Sequence, residues 1–237
     1  MLLYVNGDSH AAAAEAVNPH CFAEDDPQYF YLGRVPHPDN LSVSWARRLA
    51  DSLHAGLICQ AESASSNTRI LRTAREWIKN GLPQYPSKDV LVVIQWSTWE
   101  RQEWLIEGKY YQVNASGIDH VPDSHQDWYK QYIANVDWFQ AEQQAHEEIW
   151  QFHNELKQQN IPHLFFNGNS HFERINKQLD WGPHYIGPYE KSMTYSNRLK
   201  QCGFHTVMPN SWHFGTDAHS FWSRYIVQYL LEHKMVG

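Results

Sequence analysis

Two polar stretches, one near each end of the chain, contain residues that are able to perform nucleophilic chemistry. Gly7-Asp8-Ser9 follows an apolar run at residues 2–5, and Asn210-Ser211-Trp212-His213 lies near the C-terminus. A serine hydroxyl becomes an effective nucleophile only when a histidine accepts its proton. Serine is also a common helix N-cap, and that role is compatible with nucleophilic attack. The two stretches therefore suggest Ser9 as a nucleophile and His213 as its general base.

The general base has two alternative assignments in the sequence. His213 has Asn210 three residues before it as a group to orient its ring, and His219 has Asp217 close by as a carboxylate partner. Replacing the orienting acid of a serine protease by its amide lowers turnover roughly 10⁴-fold, so Asn210 would orient only weakly. We favour His213 because it follows a predicted strand directly, whereas His219 belongs to the last predicted helix and would pack there.

Hydrophobic patterns predict the elements that have to position these residues. Helical periodicity indicates helices at residues 42–53, 66–80 and 219–234, and the stretch 125–159 is long enough to require a break or two helices. Five apolar runs are typical of strands: Leu2–Asn6, Ala55–Cys59, Asp89–Trp96, Pro162–Asn167 and Phe204–Met208. This alternation predicts a parallel sheet with helices on both faces. Ligands of such sheets bind beyond the carboxyl ends of the strands, where Ser9 lies.

The polar stretches resemble motifs of the SGNH, or GDSL-type, hydrolase superfamily. Gly7-Asp8-Ser9 resembles its first motif, whose serine is the nucleophile, and Asn210-x-x-His213 resembles its last motif, Asp-x-x-His, with an amide in place of the acid. The resemblance implies a three-layer, flavodoxin-like α/β fold with a five-stranded parallel sheet in the strand order 2-1-3-4-5. We expect a single domain over residues 1–237, with long insertions around residues 97–124 and 168–195.

The same resemblance implies the groups that would stabilise an oxyanion. In the superfamily the serine N–H, a glycine N–H from a second motif and an asparagine side chain from a third motif perform this task. Here Ala64 stands at the glycine position and Ser97 at the asparagine position. The predicted oxyanion hole therefore consists of the N–H groups of Ser9 and Ala64 with the Ser97 hydroxyl. An alanine keeps the N–H donor wherever the backbone keeps the conformation of the glycine.

Further residues at the predicted strand ends are expected to contact a substrate. They are Asp8, Asn67, Trp96 and Trp212. Asp8 is also expected to brace the turn before Ser9 by hydrogen bonds, as aspartate commonly does in turns.

Composition excludes several classes of function. The net charge of −7 argues against a nucleic-acid-binding protein. No stretch is apolar enough to span a membrane, no signal peptide precedes the first strand, and three scattered cysteines are typical of reduced thiols. The chain has neither a P-loop nor a G-x-G-x-x-G motif. We expect a cytoplasmic protein without cofactor or metal, whose partner is a small-molecule or carbohydrate ester.

The predicted function is hydrolysis of an ester through an acyl-enzyme on Ser9, with an O-acetyl group on a carbohydrate as the expected substrate. The 11 tryptophans and 13 tyrosines include residues of the predicted insertions that would stack on sugar rings. Two alternatives stay open. One is a non-catalytic protein of the same fold that binds a glycan or serves as an interaction module, and the other is acyl transfer to an alcohol by the same serine.

Overall fold

A computed structural model describes residues 1–23, 35–114 and 121–236 of the chain. Part of the predicted insertion around residues 97–124 therefore lies outside the described residues. In chain order the strands are β1 (Leu2–Asn6), β2 (Gly56–Cys59), β3 (Val90–Trp96), β4 (Gln102–Ile106), β5 (Lys109–Val113), β6 (His163–Asn167) and β7 (Tyr185–Ile186). The helices are α1 (Pro38–Val43), α2 (Trp45–Ser52), α3 (Asn67–Asn80), α4 (Asp123–Ala134), α5 (Trp138–Gln158), α6 (Tyr195–Gln201) and α7 (Thr216–Glu232).

Five of these strands form one sheet in the order β2-β1-β3-β6-β7. Every neighbouring pair in this sheet is parallel. When the strands of the sheet are numbered along the chain, this order is 2-1-3-4-5, so the predicted fold class and strand order are confirmed. The chain builds the sheet outward from β1, first to β2 on one side and then to β3 on the other. The carboxyl ends of β1 and β3 therefore lie beside each other at the point where open α/β sheets bind their ligands.

Helices cover both faces of the sheet because its central strands are apolar on both sides. Leu3 and Val5 of β1 belong to the core layer that contains α2 and α7, with Trp45 and Trp222 completely buried there. Tyr4 belongs to the opposite layer, which contains α3 and α5. Such two-sided burial is typical of strands in a parallel sheet between helices, and it yields the three predicted layers.

The fifth predicted strand, Phe204–Met208, is wrong. This segment makes only an isolated antiparallel bridge, between Thr206 and Phe214. The edge of the sheet is instead occupied by β7, which pairs with Phe165 and Phe166 and lies inside the predicted insertion 168–195. The apolar residues of the segment serve another purpose, since the Phe204 ring packs 5.2 Å from the Phe221 ring of α7.

The helical stretch 125–159 divides into α4 and α5, which confirms the predicted break. Asp137 caps α5 by accepting a hydrogen bond from the N–H of Gln140, so a new helix begins there. Upstream of α4, the strands β4 and β5 form an antiparallel hairpin within the predicted insertion 97–124. Among the described residues, no helix has the length and apolar character needed to cross a membrane.

Candidate active site

A tightly packed glycine, Gly7, lies between the carboxyl end of β1 and Ser9. A Cβ atom on Gly7 would lie 2.8 Å from the Cβ of Ala11 and 3.1 Å from the Cβ of Gln95 in β3. A larger residue would therefore push the turn away from the sheet. The small side chain lets the backbone stay close to β3 and places Ser9 at the edge of the sheet with only 7% of its surface exposed.

The alanine run after Ser9 does not form a helix, although alanine is the strongest helix former. Residues 9–15 form successive turns, and the N–H of Ala14 donates to the carbonyl of Ser9 at 2.9 Å. Ala13 and Glu15 have positive φ angles of 53° and 63°, which a right-handed helix cannot accommodate. Such conformations are unfavourable for residues with a Cβ and often occur at functional sites. Their consequence here is to direct Glu15 toward the C-terminal part of the chain.

Glu15 provides the partner of His213. The Nδ1 atom of His213 lies 2.8 Å from Oε2 of Glu15. Because an ionised carboxylate only accepts hydrogen bonds, Nδ1 carries the proton and donates it to Glu15. In the neutral ring, Nε2 then keeps its lone pair, which is the state that a general base requires.

Ser211 strengthens this arrangement from the same loop. Its hydroxyl donates to Oε2 of Glu15 at 2.6 Å and accepts the N–H of His213 at 2.9 Å. Partial burial disfavours the charged form of Glu15, but the hydrogen bonds from Ser211 and His213 outweigh it and lower the pKa of the carboxyl. Glu15 is therefore ionised at neutral pH, as an orienting acid has to be.

The other groups predicted to orient a histidine lie elsewhere. Asn210 is exposed, and Nδ1 of His213 is bonded to Glu15. Asp217 is also exposed, whereas His219 is 1% exposed and its Nδ1 accepts the N–H of Trp45 at 3.3 Å. Burial lowers the pKa of His219 to about 3. The structure therefore does not bring His219 and Asp217 together as a base and its partner.

Among the described residues, the two backbone N–H groups predicted to form an oxyanion hole have no hydrogen-bond acceptor. Neither the N–H of Ser9 nor that of Ala64 donates a hydrogen bond to any group in the described part of the chain. Backbone N–H groups in such positions are normally paired, so two unpaired donors beside one cavity are unusual. Ala64 has a φ of 65°, the left-handed conformation that favours glycine. Alanine thus occupies the predicted glycine position and retains its conformation.

The Ser97 hydroxyl is engaged below the site. It donates to Oδ2 of Asp8 at 3.0 Å and accepts from Nη1 of Arg101 at 3.1 Å. Its single proton is thereby committed to a carboxylate, so Ser97 has no donor left for an oxyanion. The structure places Ser97 beneath the turn as a support for Asp8.

Asp8 is the centre of a buried polar network that holds the turn. Its carboxylate accepts hydrogen bonds from Gln95 at 2.8 Å and from the N–H of His10 at 3.0 Å. Burial disfavours the charged form of Asp8. Attraction to the His10 ring, which becomes charged only in the acid range, and to Arg101, together with these hydrogen bonds, outweighs the burial and lowers the pKa of Asp8. Asp8 therefore braces the turn before Ser9, as predicted, and is itself 1% exposed.

A cavity of about 590 Å³ lies at this edge of the sheet. Ser9, Ala64 and His213 all line it, although no hydrogen bond joins Ser9 Oγ to His213 among the described residues. The volume is typical of small-molecule sites. Residues from distant parts of the chain thus converge on one space: the turn after β1, the loops after β2, β3, β5 and β6, the segment 191–200 and the C-terminal loop.

Most of the residues predicted to contact a substrate lie away from the cavity. Trp212 lines the cavity and is 71% exposed, so its ring forms part of the rim. Trp96 is completely buried in the core. Asn67 uses its side chain to bind the backbone of Ser97, accepting its N–H at 2.8 Å. Of the predicted contact residues, only Trp212 borders the cavity.

Glu15 is a site residue that the sequence did not indicate, and His10 is one that the sequence indicated only weakly. Glu15 follows an alanine run and has no motif or spacing that relates it to His213. His10 adjoins Ser9, is 2% exposed, and its ring lies 5.6 Å from the ring of His213. Burial lowers the pKa of His10 to about 4, so its ring is neutral at pH 7. Its position next to Ser9 was the only signal for it.

Comparisons with known proteins give structural likeness at low sequence identity, and no curated protein sequence matches the chain. A G-D-S-L family protein from Desulfitobacterium hafniense DCB-2 is 10% identical, with a TM-score of 0.46 over 97% of this chain and 100% of that chain. The acetyl xylan esterase Est2A from Butyrivibrio proteoclasticus is 13% identical, with a TM-score of 0.44 over 97% of this chain and 63% of that chain. A family two carbohydrate esterase from Clostridium thermocellum is 15% identical, with a TM-score of 0.42 over 99% of this chain and 65% of that chain.

The chain thus spans slightly less than two thirds of the length of the two carbohydrate esterases. Likeness at this level assigns no activity, and the function has to be derived from the residues of this chain. A family model matches residues 38–160, a range that includes Ala64 but neither Ser9 nor His213. Because this range covers just over half of the chain, the protein belongs to DUF6071, a family of unknown function.

Proposed function

We propose that this protein is a serine-dependent ester hydrolase with Ser9 as nucleophile, His213 as general base and Glu15 as the acid that orients His213. The observation that carries the proposal is the 2.8 Å hydrogen bond from His213 to Glu15, because His213 lines the same cavity as Ser9. A hydrogen-bonded acid and histidine beside a serine form the constellation that activates a hydroxyl for acyl transfer.

The proposed reaction proceeds in two halves. Oγ of Ser9 attacks the acyl carbon and its proton passes to Nε2 of His213, while the N–H groups of Ser9 and Ala64 bind the oxyanion. The C–O bond of the ester then breaks, and His213 returns the proton to the leaving alkoxide. Water then attacks the acyl carbon while His213 takes its proton. The bond between the acyl carbon and Oγ of Ser9 breaks, His213 returns the proton to Oγ, and the carboxylic acid leaves.

Glu15 acts through the charge that appears on His213. When His213 accepts the proton of Ser9, the ring becomes a cation beside the Glu15 carboxylate, and their attraction lowers the energy of the transition state. Glu15 also fixes the tautomer, since only the ring with its proton on Nδ1 donates to the carboxylate. These two effects replace the role that was predicted for Asn210.

The cavity favours an ester of a polar alcohol such as a sugar. Serine, threonine and asparagine residues line it, and the exposed ring of Trp212 stands at its rim. Aromatic rings on an exposed rim provide a flat apolar surface with little loss of side-chain entropy. We therefore include an O-acetylated carbohydrate in the proposal as the class of substrate.

A covalent probe tests the proposal. The purified protein is treated with a fluorophosphonate and digested, and mass spectrometry locates the adduct, while hydrolysis of 4-nitrophenyl acetate is followed in parallel. We expect an adduct on Ser9 and turnover that Ser9→Ala abolishes. Ser196→Ala is the matched control, since Ser196 lines the same cavity and should leave the adduct on Ser9 in place.

The opposite outcome favours the alternative function. A folded protein that forms no adduct on Ser9 and hydrolyses no aryl acetate is not a serine esterase, and binding of a glycan in the same cavity then becomes the better hypothesis. An adduct on Ser196 together with turnover that survives Ser9→Ala would refute the assignment of the nucleophile.

A further inference from the structure

We propose that the substrate of this site is acidic, with an anionic group that Lys191 and Lys200 bind at the rim of the cavity. This inference rests on the proposed function and specifies its substrate class. Both lysines line the cavity that contains Ser9 and His213, and both are exposed. Both side chains are therefore accessible to a substrate in the cavity.

Neither lysine has a carboxylate partner among the residues that the structure describes. In the described ranges of the chain, no ion pair involves Lys191 or Lys200. By contrast, the third cation of the cavity, Arg101, lies 3.5 Å from Oδ2 of Asp8 and is partly neutralised by it. The charge available to a ligand is thus that of the two lysines.

The lysines come from one wall of the cavity. Lys191 begins a short 3-10 turn after β7, and Lys200 lies near the end of α6. The acid in the cavity lining, Glu100, belongs to the loop after β3 and is bonded to the Thr98 hydroxyl at 2.9 Å. Positive charge is therefore concentrated on the wall formed by residues 191–200, in a protein whose net charge is −7.

An exposed ammonium recognises an anion mainly as a point charge. Lysine does not impose the planar, bidentate geometry that arginine imposes, so a carboxylate and a phosphate are both suitable ligands. Each exposed pair should change affinity about 2- to 5-fold, which predicts about a 10-fold effect for the two lysines together. Because the charges are exposed, salt should weaken the effect.

Matched acetate esters test the inference. The substrates are methyl glucoside, methyl glucuronide and methyl glucoside 6-phosphate, each carrying one acetyl group on the same hydroxyl. We expect kcat/KM to be about 10-fold higher for the charged esters than for the neutral ester at low ionic strength, and the ratio to shrink in 0.5 M NaCl. The carboxylate and phosphate esters together show which anion is preferred.

Charge-removing variants identify the residues responsible. In the double variant Lys191→Met/Lys200→Met the ratio of charged to neutral kcat/KM should fall to about 1. Lys88→Met is the matched control, because Lys88 is exposed but lies just before β3, at the opposite edge of the sheet, and should leave the ratio unchanged. Equal kcat/KM for charged and neutral esters in the unmodified protein, or a ratio that survives the double variant, overturns the inference.

Binding separates this inference from the proposed function. In a Ser9→Ala background, calorimetric titration measures the affinity for the acetylated glucuronide and glucoside without turnover. Tighter binding of the glucuronide that depends on the lysines supports an anion site even if no ester is hydrolysed. Equal binding refutes the anion site, while hydrolysis of the neutral ester would still support the esterase.

Discussion

Replacing Glu15 by glutamine tests the most specific feature of the site. The Glu15→Gln side chain keeps nearly the same shape but loses the charge that faces Nδ1 of His213 at 2.8 Å. It also offers an NH₂ group where the native residue only accepts, so it favours the ring tautomer with its proton on the wrong nitrogen. We expect kcat to fall while KM changes little, because the lost interaction arises mainly when His213 becomes charged.

The size of the loss follows from the position of the pair. Two unit charges 2.8 Å apart attract by about 1.5 kcal/mol in bulk water and by about 6 kcal/mol at an effective dielectric constant of ~20. The side chains of His213 and Glu15 are 15% and 22% exposed, so the interaction lies between these limits, at about 3 kcal/mol. That energy corresponds to a decrease in kcat of about 100-fold. In a serine protease, where this acid is fully buried, its replacement by the amide lowers kcat by about 10⁴-fold.

Steady-state hydrolysis of 4-nitrophenyl acetate at pH 7.5 measures this loss, with circular dichroism to verify the fold of each variant. Asn210→Ala and Asp217→Asn are the comparison variants, since both side chains are exposed and neither is bonded to a histidine. We expect each of them to retain kcat within about 2-fold. Ser211→Ala should cause a smaller loss than Glu15→Gln, because one hydrogen bond to Oε2 of Glu15 disappears while the charge remains.

Two results would refute the reasoning. A folded Glu15→Gln variant with unchanged kcat would show that the carboxylate does not assist His213. A large loss from Asp217→Asn with little loss from Glu15→Gln would transfer the orienting role to Asp217 and make His219 the base.

The other predictions concern stability. Ala64→Gly should raise the free energy of unfolding by up to about 1 kcal/mol, since glycine adopts the φ of 65° without strain. Turnover should be retained because the N–H donor stays in place. A urea melt in which the variant is clearly less stable than the native protein contradicts this prediction. Burial lowers the pKa values of His10, His163 and His219 to about 4, 3 and 3. The unfolded chain therefore binds more protons below pH 6.5. We expect these three histidines to lower the free energy of unfolding by about 4 kcal/mol between pH 7.5 and 5.5, at about 1.4 kcal/mol for each histidine. Equal urea midpoints at the two pH values would show that these rings are protonated in the native state.

Most strands and helices were predictable from the sequence, whereas the order of the strands in the sheet was implied by the resemblance to a known superfamily. Strands and helices have different hydrophobic periods, which are local properties that a short window of residues displays. The apolar run of β3 and the stripes of α3 and α7 are therefore visible in the residues themselves. Once the strands are known to be parallel, their carboxyl ends must share one edge, so the placement of Ser9 at that edge follows from the sequence as well.

The edge strand was not predictable, because β7 contains only Tyr185 and Ile186. Two residues are too few to show a period, and the pairing of β7 with β6 is decided by tertiary contact. The segment at 204–208 has stronger β propensity, but its apolar side chain at Phe204 packs on α7. Tertiary packing therefore overrode local propensity at this edge.

By itself the sequence determined which residue types are available, Ser9 and His213 among them, and where local patterns place them along the sheet. Only the tertiary structure decided how they are supported. Glu15 meets His213 across 198 residues of chain, through a turn with left-handed backbone that the alanine run gives no sign of. Ser97 is drawn to the Asp8 carboxylate beneath the site. Hydrogen-bond partners of this kind depend on three-dimensional proximity and on competition between nearby acceptors, and neither is recorded in the spacing of residues along a chain.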